Sequence, residues 1–97
     1  MDTELDIYHT LTGDRGRYWA DLGAGQQAEM TYFRRADGTI IIDHTGVPHE
    51  FEGRGIALRL VKRAIADARE GEFRIVPQCP YVAVQFRRHP DWSELLA

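Results

Sequence analysis

The chain has a single cysteine, Cys79, so it forms no internal disulfide and cannot complete a cysteine-based zinc set. One free thiol fits a reducing compartment and leaves that thiol to be explained. Long apolar runs are also missing. The longest is Ile40-Ile41-Ile42 with its flank, far below the roughly 20 residues that a membrane helix needs. Basic excess is absent as well: 12 Lys and Arg stand against 15 Asp and Glu, with a pI near 5.7. That balance argues against a protein whose main task is neutralising nucleic-acid phosphates. Met1 to Asp6 is acidic and lacks the basic start and apolar stretch of a secretory signal, so a cytoplasmic location is expected. The four histidines, His9, His44, His49 and His89, have no metal-ligand spacing, and no metal site is expected.

What is present describes a globular chain. Hydrophobic residues make up 43% and charged residues 28% of 97 positions, near the average for folded domains, and the length allows one core, a single domain over residues 1–97. Loose alternation predicts strands over Leu5–His9, Arg17–Leu22 and Ala28–Arg34, the last leading through Asp37-Gly38 into a hairpin. Thr39–Val47 is apolar on both alternating faces at its start, as a strand covered on both sides would be, and Gly46 is a candidate for a bulge or for close approach of another molecule to the backbone. Ile56, Leu60, Val61, Ala64, Ile65 and Ala68 form one apolar stripe, which predicts a helix from about Arg54 to Arg69, stopped by Gly71. A short strand, Phe73–Val76, and a final helix, Tyr81–Arg88, complete the order. Strand, helix, strand implies a parallel pair, Ile40–Val47 beside Phe73–Val76, inside an otherwise antiparallel α+β sheet.

The segment between that buried strand and the long helix, Val47-Pro48-His49-Glu50-Phe51-Glu52-Gly53-Arg54-Gly55-Ile56-Ala57, is the most informative. Amides in the first turn of a helix have no internal partners and face the positive end of the helix dipole, so an anion would bind there. Gly53 and Gly55 either let phosphate oxygens reach those amides or serve only to turn the chain into the helix. The P-loop and dinucleotide fingerprints are both absent. Arg87-Arg88-His89 is a small basic patch beside Trp92, able to contact a ligand phosphate or a nucleic acid, or simply to sit as a solvated helix end. Cys79 follows a strand and precedes Pro80 at a helix start, where the positive helix end favours a thiolate.

Three blocks in order, Asp43-His44-Thr45-Gly46-Val47-Pro48, then Gly53-Arg54-Gly55-Ile56-Ala57, then Val76-Pro77-Gln78-Cys79-Pro80-Tyr81 with Arg88-His89-Pro90, resemble the compact members of the GNAT superfamily of N-acetyltransferases. The usual glycine loop is Gln/Arg-x-x-Gly-x-Gly/Ala; here Glu52, Gly55 and Ala57 hold its three defining positions. The resemblance implies a mixed, mostly antiparallel sheet with a splayed parallel strand pair, flanked by two helices. It also implies acetyl-CoA as co-substrate, with the Val47 backbone pairing with the pantetheine arm. The amides of Gly53, Arg54, Gly55, Ile56 and Ala57 would hold the pyrophosphate. The two helices that full-size enzymes carry between their first strands have no room in Thr10–Arg17, and much of the acceptor wall goes with them. The acceptor is therefore an unidentified amine: a peptide, a polyamine-like molecule or an antibiotic. The usual tyrosine of the last helix is replaced by Phe86, and Tyr81 is the nearest phenol. Cys79 either accepts the acetyl group or lines the cleft, with His44 as its candidate base. The alternative activity is a non-catalytic sensor or adaptor that binds CoA or acyl-CoA. Neither nucleic acid nor membrane is expected as a partner, and the chain is expected as a monomer or homodimer.

Overall fold

Alternation in the first half of the chain produces antiparallel strands whose apolar sides face one core. The computed structural model describes residues 5–97, so Met1–Glu4 of the acidic N-terminus lie outside the described residues. Its strands are β1 (Tyr8–Thr12), β2 (Arg15–Gly23), β3 (Gln26–Arg34), β4 (Ile40–Gly46) and β5 (Ile75–Pro77). Its helices are α1 (Ile56–Gly71) and α2 (Pro80–Arg88), with 3₁₀ turns at His49–Phe51 and Pro90–Leu95. The sheet order is β1-β2-β3-β4-β5, antiparallel except for the β4–β5 pair. This is the mixed α+β arrangement that strand order and resemblance both anticipated.

Across β2 and β3, Tyr18 pairs with Met30 and Ala20 with Ala28, and all four are buried. Gly16 sits opposite Tyr32, and a Cβ there would overlap the tyrosine ring, so this position admits only glycine. The ring is held in turn by a 2.6 Å hydrogen bond between its hydroxyl and the His9 imidazole. Tyr18 donates to Asp67 of α1 at 2.8 Å, which fastens the sheet to the helix. The six residues of the predicted α1 stripe are all buried, and each of the larger aliphatic side chains contributes about 2 kcal/mol on burial. Val82 and Phe86 of α2, with Trp92 and Leu95 of the last turn, join the same core, Phe86 meeting Trp92 edge-on at 5.6 Å.

Boundaries differ at the edges. The first strand lies at Tyr8–Thr12 rather than Leu5–His9, and all its residues are exposed. An edge strand has one neighbour, and here its place follows from pairing with β2 instead of from its own alternation. The short strand begins at Ile75, not Phe73, because α1 runs on to Gly71 and closes through the Phe73 N–H to the Ala68 carbonyl at 3.1 Å.

Candidate functional site

The site arises where β4 and β5 part company. They pair only over Ile40–Ile75, Ile41–Val76 and Ile42–Pro77. One more link, from the Cys79 N–H to the Ile42 carbonyl at 2.9 Å, ends the contact. Pro77 and Pro80 then turn the chain into α2, while β4 continues to Gly46 with only β3 beside it. The gap is a groove of about 460 Å³, within the usual range of ligand sites. Thr45, Gly46 and Val47 form one side and Tyr81, Gln85 and Arg88 of α2 another, with Phe51, Glu52, Gly53, Gly55 and Ala57 closing it.

The glycine loop contributes an uncapped helix start. Gly55 is the N-cap of α1 at φ 76°, with no side-chain cap and no acid in the first turn. Gly53 also has positive φ, 81°, a conformation that other residues adopt only under strain. Of the predicted ligand-binding residues, Val47, Gly53, Gly55 and Ala57 line the groove. Arg54 and Ile56 do not. The Arg54 guanidinium lies over the Phe51 ring at 5.0 Å, and the Ile56 side chain is buried in the core, leaving its backbone as the part available to a ligand. Glu52, the acid that replaces Gln or Arg, lines the groove and lies 3.2 Å from the His49 imidazole.

Cys79 is the N-cap of α2 and is 7% exposed. It is not itself a groove-lining residue, but its contact Thr45 is: Thr45 Oγ1 lies 3.4 Å from Cys79 Sγ. Burial pushes the thiol up, yet the Thr45 hydroxyl and the amides of Val82, Tyr81 and Thr45 outweigh it and hold the thiol below its ordinary value of 9.0. Thr45→Val is expected to shift the pH midpoint of Cys79 alkylation upward, whereas Thr45→Ser leaves it in place. Alkylation rates measured across a pH series check both.

His44 does not reach Cys79, which corrects the expected Cys–His pair. Thr31 pairs with His44 but Tyr32 with Ile42, so Asp43 is an extra residue in β4, and the bulge falls there rather than at Gly46. Simple alternation from Ile42 would turn His44 toward the helices. The inserted residue reverses the phase, so Thr45 takes the place beside Cys79 and His44 joins Glu29 at 3.5 Å on the other face. Asp43 is on that face too, bonded to Thr31 at 2.7 Å and Arg15 at 3.3 Å.

Gln85 carries no motif in the sequence, and Arg88 belongs both to the Arg88-His89-Pro90 block and to the basic trio at the end of α2. Their three-residue spacing, with Tyr81 four residues earlier, was the available signal, since it puts all three on one helix face. Burial, as its main cause, raises the Tyr81 phenol above its ordinary value and keeps it protonated at neutral pH. Phe86 packs in the core and His89 stacks on Trp92 at 3.9 Å, so neither faces the groove.

Residues 15–95 match the profile of the GCN5-related N-acetyl-transferase family. A GCN5-like protein from Staphylococcus aureus, determined in solution by NMR, superimposes with a TM-score of 0.64 at 26% identity, over 93% of this chain and 87% of that one. No curated protein sequence matches the chain. A profile match spanning β2 to β5, the glycine loop, the groove and Cys79 shows that this chain belongs to the GCN5-related N-acetyltransferase family.

Proposed function

We propose that the protein transfers the acetyl group of acetyl-CoA to an amine by way of Cys79. The observation that carries this reading is a buried thiol in contact with Thr45 of the groove wall and held below its ordinary pKa, at the start of α2 where the splayed strands separate. In the first step the Cys79 thiolate adds to the thioester carbonyl, the carbon–sulfur bond to CoA breaks, and the departing CoA thiolate takes a proton from the Tyr81 phenol or water. In the second, a neutral amine attacks the acetyl-cysteine, the Cys79 thiolate leaves, and the proton lost from nitrogen goes to the Tyr81 phenolate or to solvent, whichever supplied the proton in the first step. The uncapped amides of α1 and the backbone at Val47 bind the carrier. We place this activity in the cytoplasm, where a lone thiol stays reduced.

A second reading, a CoA-binding sensor without transfer, is favoured by the depth of Cys79 and by Phe86 standing in the core where larger relatives place a tyrosine. Calorimetric titration with acetyl-CoA, followed by intact mass and an amine panel, separates the two. The transferase reading expects binding, a mass gain of one acetyl group, and its loss on adding a competent amine. Binding with neither adduct nor transfer supports the sensor; no binding at millimolar acetyl-CoA removes both.

A further inference from the structure

His44 stands in the first of the three sequence blocks, yet the reaction proposed above gives it no part. Its side chain lies on the sheet face away from the core, 55% exposed, with Nε2 3.5 Å from Glu29 Oε2. To get there it crosses Gly46, where a Cβ would come within 3.2 Å of the same nitrogen. Glu29 is held in turn by Arg17 Nε at 2.7 Å. The strands place Glu29 opposite Gly46 and Thr31 opposite His44. The His44–Glu29 contact is therefore a diagonal between β3 and β4, and it exists only in the register that follows the bulge.

Two registers compete for the end of β4. In the observed one Asp43 is the extra residue, and buried Met30 pairs with Thr45. Continuing the Tyr32–Ile42 register without an extra residue would pair Thr31 with Asp43 and Met30 with His44. That slip would bring the imidazole into the core layer beside Cys79 and turn Thr45 out. Asp43 faces Thr31 in both cases, so its bond to that hydroxyl does not choose between them. The choice falls to residues 44 and 45. An imidazole moved into the core layer gives up its water and its carboxylate partner, whereas a threonine there packs its methyl group and sets its hydroxyl 3.4 Å from Cys79 Sγ. Resting on the reading in which the Cys79 thiolate reacts, we infer that His44 is a positioning residue: its preference for the outer face holds β4 in the shifted register and so keeps Thr45 at the thiol.

The test replaces residue 44 in the full chain and follows Cys79 alkylation across a pH series. His44→Val inverts the preference, because valine suits the core layer; His44→Ala does so more weakly and with no bulk to strain the core. His44→Gln removes the titratable ring but stays polar. The expected result for His44→Val is a neutral-pH alkylation rate lower by roughly 3- to 10-fold, the worth of one hydrogen bond to the thiolate, with the midpoint moved upward as in Thr45→Val. His44→Ala gives a smaller shift in the same direction, and His44→Gln keeps the parental profile. Adding Thr45→Val to His44→Val changes nothing further, since Thr45 has already left the thiol. Parental midpoints in both His44→Val and His44→Ala overturn the assignment, and a lowered melting temperature with the midpoint kept makes His44 merely structural and overturns it too. A shifted midpoint in His44→Gln also overturns it, because the effect then belongs to the ring's charge. These outcomes leave the acetyl-cysteine reading standing; that reading fails separately, if Cys79→Ala retains full turnover, and the bearing of His44 on catalysis fails with it.

Discussion

Replacing Cys79 with alanine is expected to abolish the acetyl adduct and to lower amine acetylation by on the order of 10³-fold or more, with acetyl-CoA affinity kept within about 3-fold of the parent. The reasoning separates binding from chemistry. On the proposed reading, affinity comes from the amides at the start of α1 and from the groove walls, and Cys79 itself is not a lining residue. The covalent step has no other nucleophile: Thr45 is an unactivated hydroxyl, and the Tyr81 phenol is held protonated by burial. Loss of the thiol leaves a small cavity costing about 1 kcal/mol, too little to unfold the chain. Steady-state transfer and intact mass read the outcome. Undiminished turnover in the alanine variant would mean that the amine attacks the thioester directly, with Cys79 reduced to a buried neighbour of Thr45.

Gly55→Val is the second large effect, acting on binding instead of chemistry. A Cβ built at Gly55 meets no protein atom within 4 Å, so the first added carbon collides with nothing in the fold. Its cost to folding is conformational: φ of 76° is unfavourable for any residue with a Cβ, by about 1–2 kcal/mol, and more for a β-branched one. The branched side chain instead projects into the groove lining at the uncapped start of α1, where the proposed diphosphate needs close approach. We expect acetyl-CoA affinity to fall by on the order of 100-fold, while the Cys79 alkylation rate stays at the parental level because the thiol's surroundings are untouched. An unchanged acetyl-CoA affinity in a folded Gly55→Val protein would move the diphosphate away from the helix start and return the glycines to a purely local role.

The two variants also bear on the choice between transferase and sensor. A sensor loses its ligand on Gly55→Val but is indifferent to Cys79→Ala, since its thiol has no chemistry to perform. A transferase that works through Cys79 is disabled by either change, by different routes. Measured together with the parent protein, they distinguish a binding module from an enzyme without knowledge of the natural acceptor.

Local patterns in the sequence were enough for the elements whose character is set by near neighbours. The α1 stripe, the hairpin at Asp37-Gly38, the parallel pairing of Ile40–Ile42 with the final strand, and the glycine loop at a helix start were all legible, because periodicity and φ preference act over a few residues. What remained hidden depended on partners far apart in the chain. The place of β1 followed from pairing with β2, and no pattern within an edge strand records that. One inserted residue, Asp43, inverted the facing of everything after it, sending His44 to Glu29 and giving Thr45 to Cys79; a bulge is a property of two strands, so neither strand announces it alone. Gln85 looked like an ordinary helical polar residue until α2 was laid along the open side of β4. The sequence thus determined which segments form strands and helices and where a glycine loop leads into α1, while only the tertiary structure decided which side chains face the thiol, because side-chain direction in a sheet is fixed by register between strands rather than by composition within one.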